Sequence, residues 1–264
     1  MEENINKRLL KAAARCETGI VRPMNQDQVF CSLKPVGFLP NLFVVADGMG
    51  GHKAGDLASS EALRYFREYI EDHSSEEDDI ILLMKTALQM ANRYIYYLSE
   101  ESPDYAGMGT TFVAATVCGD YLYCINVGDS RMYRLKQSQE TPLTLDRVTV
   151  DHSVVEMLLR GGVITEEEAR IHPQKNMITR AIGIDETVEI DDYCIETDGL
   201  KRVLLCSDGL SNMVPDLDIL KELSAPKSVS DTADRLVEMA NEAGGKDNIS
   251  VVVIDFTGEE ELNA

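Results

Sequence analysis

The chain has 264 residues, with 25 Lys and Arg against 46 Asp and Glu, so its formal net charge at pH 7 is −21. A surface this acidic repels the phosphate backbone, and we expect no nucleic-acid partner. The longest apolar runs, such as 42–46 and 251–254, fall far short of the ~20 residues that span a bilayer. The polar N-terminal stretch 1–15 has no signal-peptide core, so we expect a cytoplasmic protein without membrane attachment.

Short apolar runs bounded by Gly, Asp or Asn predict β-strands in chain order at 42–46, 110–117, 121–127, 203–206 and 249–256. The turn-like stretch 118–120 is short, so it predicts an antiparallel hairpin between the second and third of these strands. A purely parallel sheet is therefore not expected.

Apolar residues at helical spacing predict one helix pair at 54–70 and 79–98 and another at 215–223 and 230–243. Ser75 and Asp78 in the acidic connection predict a capping box for the second helix. Strands, a helix pair, strands, a helix pair and a last strand are typical of an α+β fold, with antiparallel sheets and helices packed outside.

Residues 151–183 differ from this pattern. They predict a short helix over 154–160, then a second helix start at Thr165 with Glu168 as its capping box, then His172-Pro173. This segment is expected to form an inserted flap. No linker divides the chain, so we expect a single domain over 1–264 with a flap subdomain at about 151–183.

The sharpest local motif is the run 44–55, VVADGMGGHKAG, in which a buried strand ends at Asp47 and leads through a glycine-rich loop into a helix. Glycine lets the backbone approach a ligand, so the Asp47 carboxylate and the Gly48 carbonyl can face one hard cation. A plain turn into a helix is the alternative. The loop lacks the spacing of the known phosphate-binding glycine motifs.

A second hydrophobic strand, 203–206, also leads into Asp-Gly, at Asp208. Asp129 and Asp247 lie at the edges of two further strands. Two such charges ~5 Å apart repel by roughly 3 kcal/mol at an effective dielectric constant near 20, so four carboxylates would stay ionised together only with cations among them. Asp198-Gly199, by contrast, is expected to be an ordinary hairpin turn without a ligand role.

Oxygen ligands without His or Cys pairs favour Mg²⁺ or Mn²⁺. Two such ions ~3.5 to 4 Å apart can activate a water molecule and clamp a phosphoryl group. A phosphate beside them needs a cation to orient it, and Arg22 is the candidate, with a solvated surface residue as the alternative. His52 is either a general acid for the leaving group or a polar residue at a helix start.

Together these motifs resemble the protein phosphatase 2C family, the metal-dependent serine/threonine phosphatases, and above all its bacterial members. The resemblance covers about residues 15–256. It rests on six ordered motifs, which are VRPMNQD at 21–27, ADGMGGHKAG at 46–55, GMGTT at 107–111, VGDSR at 127–131, CSDGL at 206–210 and GKDNI at 245–249.

The resemblance implies a central β-sandwich of two antiparallel sheets flanked by helix pairs, with a site for two Mn²⁺ or Mg²⁺ ions at one end. The ligands it implies for the two ions are Asp47, Gly48, Asp208 and Asp247. Asp129, with Asp208, would hold a third, weaker ion. Arg22 would clamp the substrate phosphate and His52 would protonate the leaving group, while Gln26, Asp27 and Asn248 would lie behind the ligands.

One position departs from the family pattern. Bacterial members usually read NNED where this chain has MNQD at 24–27, so Gln26 replaces an acid near the ions. Glutamine still accepts a hydrogen bond from a metal-bound water but lacks the negative charge. We therefore predict weaker metal affinity, not inactivity.

The resemblance implies hydrolysis of phosphoserine and phosphothreonine in proteins by a metal-bridging water, without a covalent phosphoenzyme. The alternatives are a pseudophosphatase that binds phosphoproteins through the same fold, whose signature would be loss of a metal-binding aspartate, and a metal-bound regulatory protein without turnover. All four aspartates are present. Expected partners are phosphorylated proteins and an opposing serine/threonine kinase, with a monomer as the expected oligomeric state.

Overall fold

The computed structural model describes residues 9–51, 54–76, 78–137 and 142–258. In chain order, these contain β1 Leu9–Glu17, β2 Asp27–Ser32, β3 Leu42–Met49, α1 Ala54–His73, α2 Ile80–Glu100, a 3₁₀ turn Pro103–Tyr105, β4 Gly109–Thr110, β5 Phe112–Cys118, β6 Tyr121–Val127, β7 Arg131–Lys136, β8 Thr144–Arg147, α3 Val154–Arg160, α4 Glu166–Ile171, β9 Asp191–Glu196, β10 Leu200–Cys206, α5 Asp208–Ser211, α6 Asp216–Ser224, α7 Val229–Glu242 and β11 Ile249–Gly258.

The strands form two antiparallel sheets. One has the order β1-β11-β10-β7-β8, and the other has the order β2-β3-β5-β6-β9 with the short β4 paired to β3. The α+β prediction is confirmed, as is the hairpin at 118–120, because β5 and β6 are antiparallel neighbours.

Among the residues that the structure describes, three hydrophobic clusters hold the layers together. Side chains of β3 alternate between two of them, so Val45 packs between the sheets with Val113 and Val252, whereas Val44 faces α1 and α2. Helices α6 and α7 cover the outer face of the other sheet, where Leu236 packs in one cluster with Leu204 and Val253. The result is the predicted four-layer sandwich.

The predicted helix pairs are confirmed, but the cap predicted for α2 is wrong. Asp79 is the N-cap, and its side chain accepts a hydrogen bond from the Leu82 N–H at 2.9 Å. Asp78 instead accepts from the Ser75 N–H and closes a local turn. The predicted capping box of Thr165 and Glu168 in the flap is present.

The hairpin predicted at Asp198-Gly199 is also wrong. The strand before it, β9, pairs with β6, while the strand after it, β10, pairs with β7 and β11 in the other sheet. The connection therefore crosses from one sheet to the other. Within the part of the chain that the structure describes, no helix is both long enough and apolar enough to cross a membrane.

Candidate active site

The predicted acidic residues lie at the ends of strands from both sheets. Asp47 and Gly48 lie near the end of β3, and Asp129 follows β6. Asp208 follows β10, and Asp247 comes just before β11. Because β3 and β6 belong to one sheet and β10 and β11 to the other, these aspartates come from both sheets of the sandwich. We call the group of Asp47, Asp129, Asp208 and Asp247 the acidic edge.

The main chain of Asp47 is held by two threonines. Thr111 donates its N–H to the Asp47 carbonyl at 2.8 Å, and its hydroxyl accepts the Asp47 N–H at 3.0 Å. The Thr110 hydroxyl also donates to that carbonyl, at 2.9 Å. Thr111 Oγ1 lies 2.7 Å from Ser130 Oγ, so one side chain ties Asp47 to the turn of Asp129. These residues explain the motif at 107–111, which sequence analysis left without a role.

Asp27, the first residue of β2, is more deeply buried than the four aspartates described above, with 2% of its surface exposed. It pairs across the ladder with Asp47, and its Oδ2 accepts the Ser207 hydroxyl at 2.8 Å. Its Oδ1 has no hydrogen-bond partner among the described residues. Burial raises the pKa of Asp27 to about 7, although the hydrogen bond from Ser207 opposes the shift.

The neighbouring aspartates also have raised pKa values. Burial, reinforced by the charge of Asp247, raises the pKa of Asp208 to about 6. Burial and the charges of nearby aspartates raise the pKa values of Asp47 and Asp129 well above the usual range. Each shift includes repulsion from another member of the group, so the structure does bring the predicted residues together.

Asp208 opens the single-turn helix α5, where Asn212 Nδ2 donates to its Oδ2 at 2.9 Å. The next residue must be glycine. A Cβ at Gly209 would lie 1.8 Å from the Asn248 carbonyl oxygen, closer than any side chain can come. This close approach joins the Asp208 turn to the strand that follows Asp247.

Asn248 braces the loop that leads to Asp27. Its Nδ2 donates to the carbonyls of Thr18 and Met24, and its Oδ1 accepts the Gln26 N–H at 2.9 Å. The Gln26 carbonyl in turn accepts the Gly48 N–H at 3.1 Å. Gln26 and Asn248 thus lie beside the aspartates, where the resemblance placed them.

Arg22 is the cation at the open side of the group. Its side chain is 50% exposed, and one guanidinium nitrogen lies 2.8 Å from Asp247 Oδ2. The structure thus places Arg22 in contact with a predicted metal ligand. His52, the predicted general acid, lies outside the described residues.

Beside Asp129 and Asp208, a cavity of about 300 Å³ extends under the flap. The flap side contributes Arg170 and Lys175 to its lining. Arg131, which lines the same cavity, forms hydrogen bonds with both carboxylate oxygens of Asp151, the nearest at 2.6 Å. This arginine was not predicted from the sequence, although it lies in the motif VGDSR at 127–131.

The described residues bear on a metal site in two ways, through their arrangement and through their donor chemistry. Across 9–51, 54–76, 78–137 and 142–258, no group of three or more His, Cys, Asp or Glu side chains is placed so that it could hold a metal ion. The donor chemistry nevertheless fits hard cations, because all the candidate ligands are oxygen atoms. The orphaned Oδ1 of Asp27 and the raised pKa values describe carboxyl groups whose ionisation calls for positive charge.

Comparison with known proteins identifies the family. The family model described as protein phosphatase 2C matches residues 22–252. A serine/threonine phosphatase stp of Listeria welshimeri is 37% identical over 253 residues, which are 93% of this chain and 96% of that protein.

Among solved structures, serine/threonine phosphatase Stp1 from Staphylococcus aureus matches with a TM-score of 0.86 and 32% identity, covering 95% of this chain and 96% of its own. The catalytic domain of the serine/threonine protein phosphatase PstP in complex with two manganese ions matches with a TM-score of 0.80 and 37% identity, covering 93% of this chain and 97% of its own. The fold is thus that of these phosphatases. This chain belongs to the protein phosphatase 2C family.

Proposed function

We propose that this chain is a metal-dependent protein phosphatase that hydrolyses phosphoserine and phosphothreonine in proteins. The observation that carries the proposal is the gathering of Asp47, Asp208 and Asp247 beside Arg22, in a chain of this family. The raised pKa of Asp208 supports a site built for cations, since buried acids that repel one another stabilise nothing by themselves.

Asp47, the Gly48 carbonyl, Asp208 and Asp247 would hold two ions, Mn²⁺ or Mg²⁺, and Asp129 with Asp208 would hold a third. When bound, such ions lower the pKa of water to give a nucleophile and neutralise the charge on the phosphoryl oxygens. Asp27 and Asn248 support these ligands through the contacts to Ser207 and to the Gln26 main chain.

Arg22 would bind the substrate phosphate. Its half-exposed side chain pairs through one guanidinium nitrogen with Asp247, and the planar fork of the remaining N–H groups suits the oxygens of an incoming phosphate. The arginine would thereby place the phosphorus atom over the acidic edge. His52 is proposed to give a proton to the serine or threonine oxygen that leaves.

We further propose that residues 1–264 form one phosphatase domain, with about 151–183 as its flap, acting as a monomer. The cavity under the flap opens beside Asp129 and Asp208, which suits a substrate segment next to the phosphorylated residue. Its substrates would be cytoplasmic proteins phosphorylated by an opposing serine/threonine kinase.

The test is hydrolysis of a phosphothreonine peptide and of p-nitrophenyl phosphate with Mn²⁺, with Mg²⁺ and with EDTA. We expect turnover that needs one of the ions and that EDTA abolishes. Absence of turnover with every metal, while calorimetry still detects Mn²⁺ binding, would refute the proposal and favour a phosphoprotein-binding module of the same fold.

A further inference from the structure

His152 occupies the point where the flap leaves the sandwich. It is 6% exposed, and it comes two residues before helix α3. Its carbonyl accepts the Thr179 N–H at 2.7 Å, and the Val154 N–H donates to the Met177 carbonyl at 2.9 Å. The outgoing and returning chains of the flap are therefore joined at His152.

The same residue holds both polar groups of the Gly128 main chain. The Gly128 N–H donates to His152 Nδ1 at 3.0 Å, and the His152 N–H donates to the Gly128 carbonyl at 3.0 Å. Gly128 has a φ of +103°, and a Cβ there would lie 2.7 Å from the Thr111 side chain. Its backbone is thus confined on both sides, and it is the residue that directs the chain into Asp129.

The imidazole is itself oriented from the sheet. Because Nδ1 accepts a hydrogen bond from Gly128, the proton of the neutral ring is on Nε2, which lies 3.2 Å both from Asp191 Oδ2 and from Arg180 Nη1. Arginine only donates, so the acceptor for this proton is Asp191. Arg180 Nη1 donates to the other Asp191 oxygen at 2.9 Å, so that carboxylate is fixed in turn. Asp191 and Arg180 therefore leave His152 one ring orientation.

We propose that His152 is a positioning residue that couples the flap to Asp129. One residue thereby holds both the junction of the flap with the sandwich and the turn that carries the Asp129 carboxylate. This inference rests on the proposed function, because Asp129 is there assigned to the third ion. His152 would touch neither the substrate nor an ion. Its effect would be to fix the peptide that aims Asp129.

Two amide variants test the two nitrogen atoms of the imidazole separately. In His152→Asn the side-chain oxygen can take the place of Nδ1 and accept the Gly128 N–H, whereas His152→Gln reaches toward Asp191 and leaves that N–H without its acceptor. The Mn²⁺-binding step of interest is the one that Asp129→Asn removes. We expect His152→Gln to weaken this step by about tenfold and to leave the tighter Mn²⁺-binding steps unchanged. The Asn variant should lie closer to the unmodified chain.

Titration calorimetry with Mn²⁺ gives the binding steps, and hydrogen exchange at the amides of 128–131 gives the mobility of the turn. His172→Gln is the matched control, because His172 also lies in the flap and also accepts a backbone N–H at Nδ1, from Gln174, but does not contact Gly128. This control should bind Mn²⁺ and exchange its amides as the unmodified chain does.

Asp191→Ala tests the same arrangement if His152→Gln fails to fold, since it keeps the imidazole and removes its Nε2 acceptor. It should speed exchange at 128–131 and weaken the same Mn²⁺ step. Equal losses in the Asn and Gln variants, or unchanged binding and exchange in both Gln and Asp191→Ala, would overturn the inference. Failure of the proposed function would look different, because the unmodified chain would then show no Mn²⁺-dependent turnover while these binding and exchange comparisons could still be made.

Discussion

Two buried carboxyl groups of this sandwich have opposite surroundings. Asp255 in β11 is 6% exposed and Asp27 in β2 is 2% exposed, so both carboxyl groups are largely withdrawn from water. Burial alone would raise the pKa of Asp255, but hydrogen bonds from Thr257 and the Arg202 guanidinium outweigh it, and the pKa is lowered. For Asp27, burial prevails and the pKa rises to about 7.

The difference lies in the partners. Arg202 donates to Asp255 Oδ2 at 2.9 Å and also to the carbonyls of Leu223 and Ala225 and the Thr232 hydroxyl, so the ion pair has its hydrogen bonds satisfied. Asp27 instead faces other aspartates and keeps one oxygen without a partner among the described residues. A buried ion pair whose hydrogen bonds are all made has a structural role. A buried acidic group without such partners lowers the free energy of unfolding, so its presence indicates a role other than stability.

The largest effect should come from Asp208→Asn. Removing one carboxylate from the acidic edge removes a proposed metal ligand, so turnover should fall by more than the about 10 to 100-fold typical of residues that only support ligands. The matched control is Asp255→Asn, which makes the same chemical change at the satisfied site and should leave turnover per folded molecule unchanged. Steady-state hydrolysis of p-nitrophenyl phosphate at saturating Mn²⁺ measures both.

Stability should respond in the reverse order. Asp255→Asn leaves the Arg202 charge buried without its counter-ion, which should lower the free energy of unfolding by about 3 kcal/mol. Asp208→Asn relieves repulsion among the aspartates and should not destabilise the metal-free chain. Urea denaturation in EDTA measures both variants. Equal destabilisation by the two substitutions would show that the contrast between the sites is wrong.

The two sites should also give opposite pH dependence. The pKa of Asp27 is about 7 in the folded chain against an ordinary 3.8, so the folded state keeps a proton that the unfolded state releases. The metal-free free energy of unfolding should therefore fall as the pH rises from about 4 toward 7. Asp255, whose pKa is lowered, contributes stability that is present above pH 3.8 and lost as the pH falls through its folded pKa.

Urea denaturation in EDTA at pH 5 and pH 7.5 tests this sign. The unmodified chain should be less stable at the higher pH, and Asp27→Asn, which cannot ionise, should reduce that difference. Identical stabilities of the unmodified chain at both pH values would contradict the shift assigned to Asp27.

Much of the fold was predictable because its signals are local. The apolar runs predicted the central strands, such as 42–46 and 203–206, and helical spacing predicted both helix pairs. Strands β1, β2 and β9 were missed because their burial is partial and their sequences carry charges, so their pairing is decided by neighbours distant in the chain. The turn at Asp198-Gly199 was misjudged for the same reason, since its local sequence does not say to which sheet the next strand belongs.

Asp47 and Asp208 were predictable from a repeated pattern, a hydrophobic strand that leads into Asp-Gly. The residues that hold them were not. Thr111 and Ser207 are small hydroxyl residues whose function depends on a main-chain group or carboxylate far away in sequence. His152 lies in a segment that sequence analysis assigned to the flap, and only the tertiary structure brings it to Gly128.

The smallest predicted effect concerns Gln26, the position where the chain departs from the family pattern. Gln26→Glu would add a negative charge beside Asp27 and the other aspartates, so in the metal-free chain it should sharpen their repulsion and lower the free energy of unfolding slightly. With ions bound, the same charge becomes favourable. The Mn²⁺ concentration for half-maximal activity should therefore fall, by less than about tenfold, because an outer position acts on the ions only indirectly.

Gln28→Glu is the control, since Gln28 lies in β2, two residues after Gln26, and its side-chain amide donates to Asp56 at 3.4 Å, not to an aspartate of the site. It should leave the Mn²⁺ dependence unchanged. An unchanged half-maximal concentration in Gln26→Glu would mean that Gln26 already serves the ions as well as an acid does. The weaker metal affinity predicted for this chain would then be wrong, while the contrast between Asp27 and Asp255 would stand, because it depends on burial and partners and not on the identity of this neighbour.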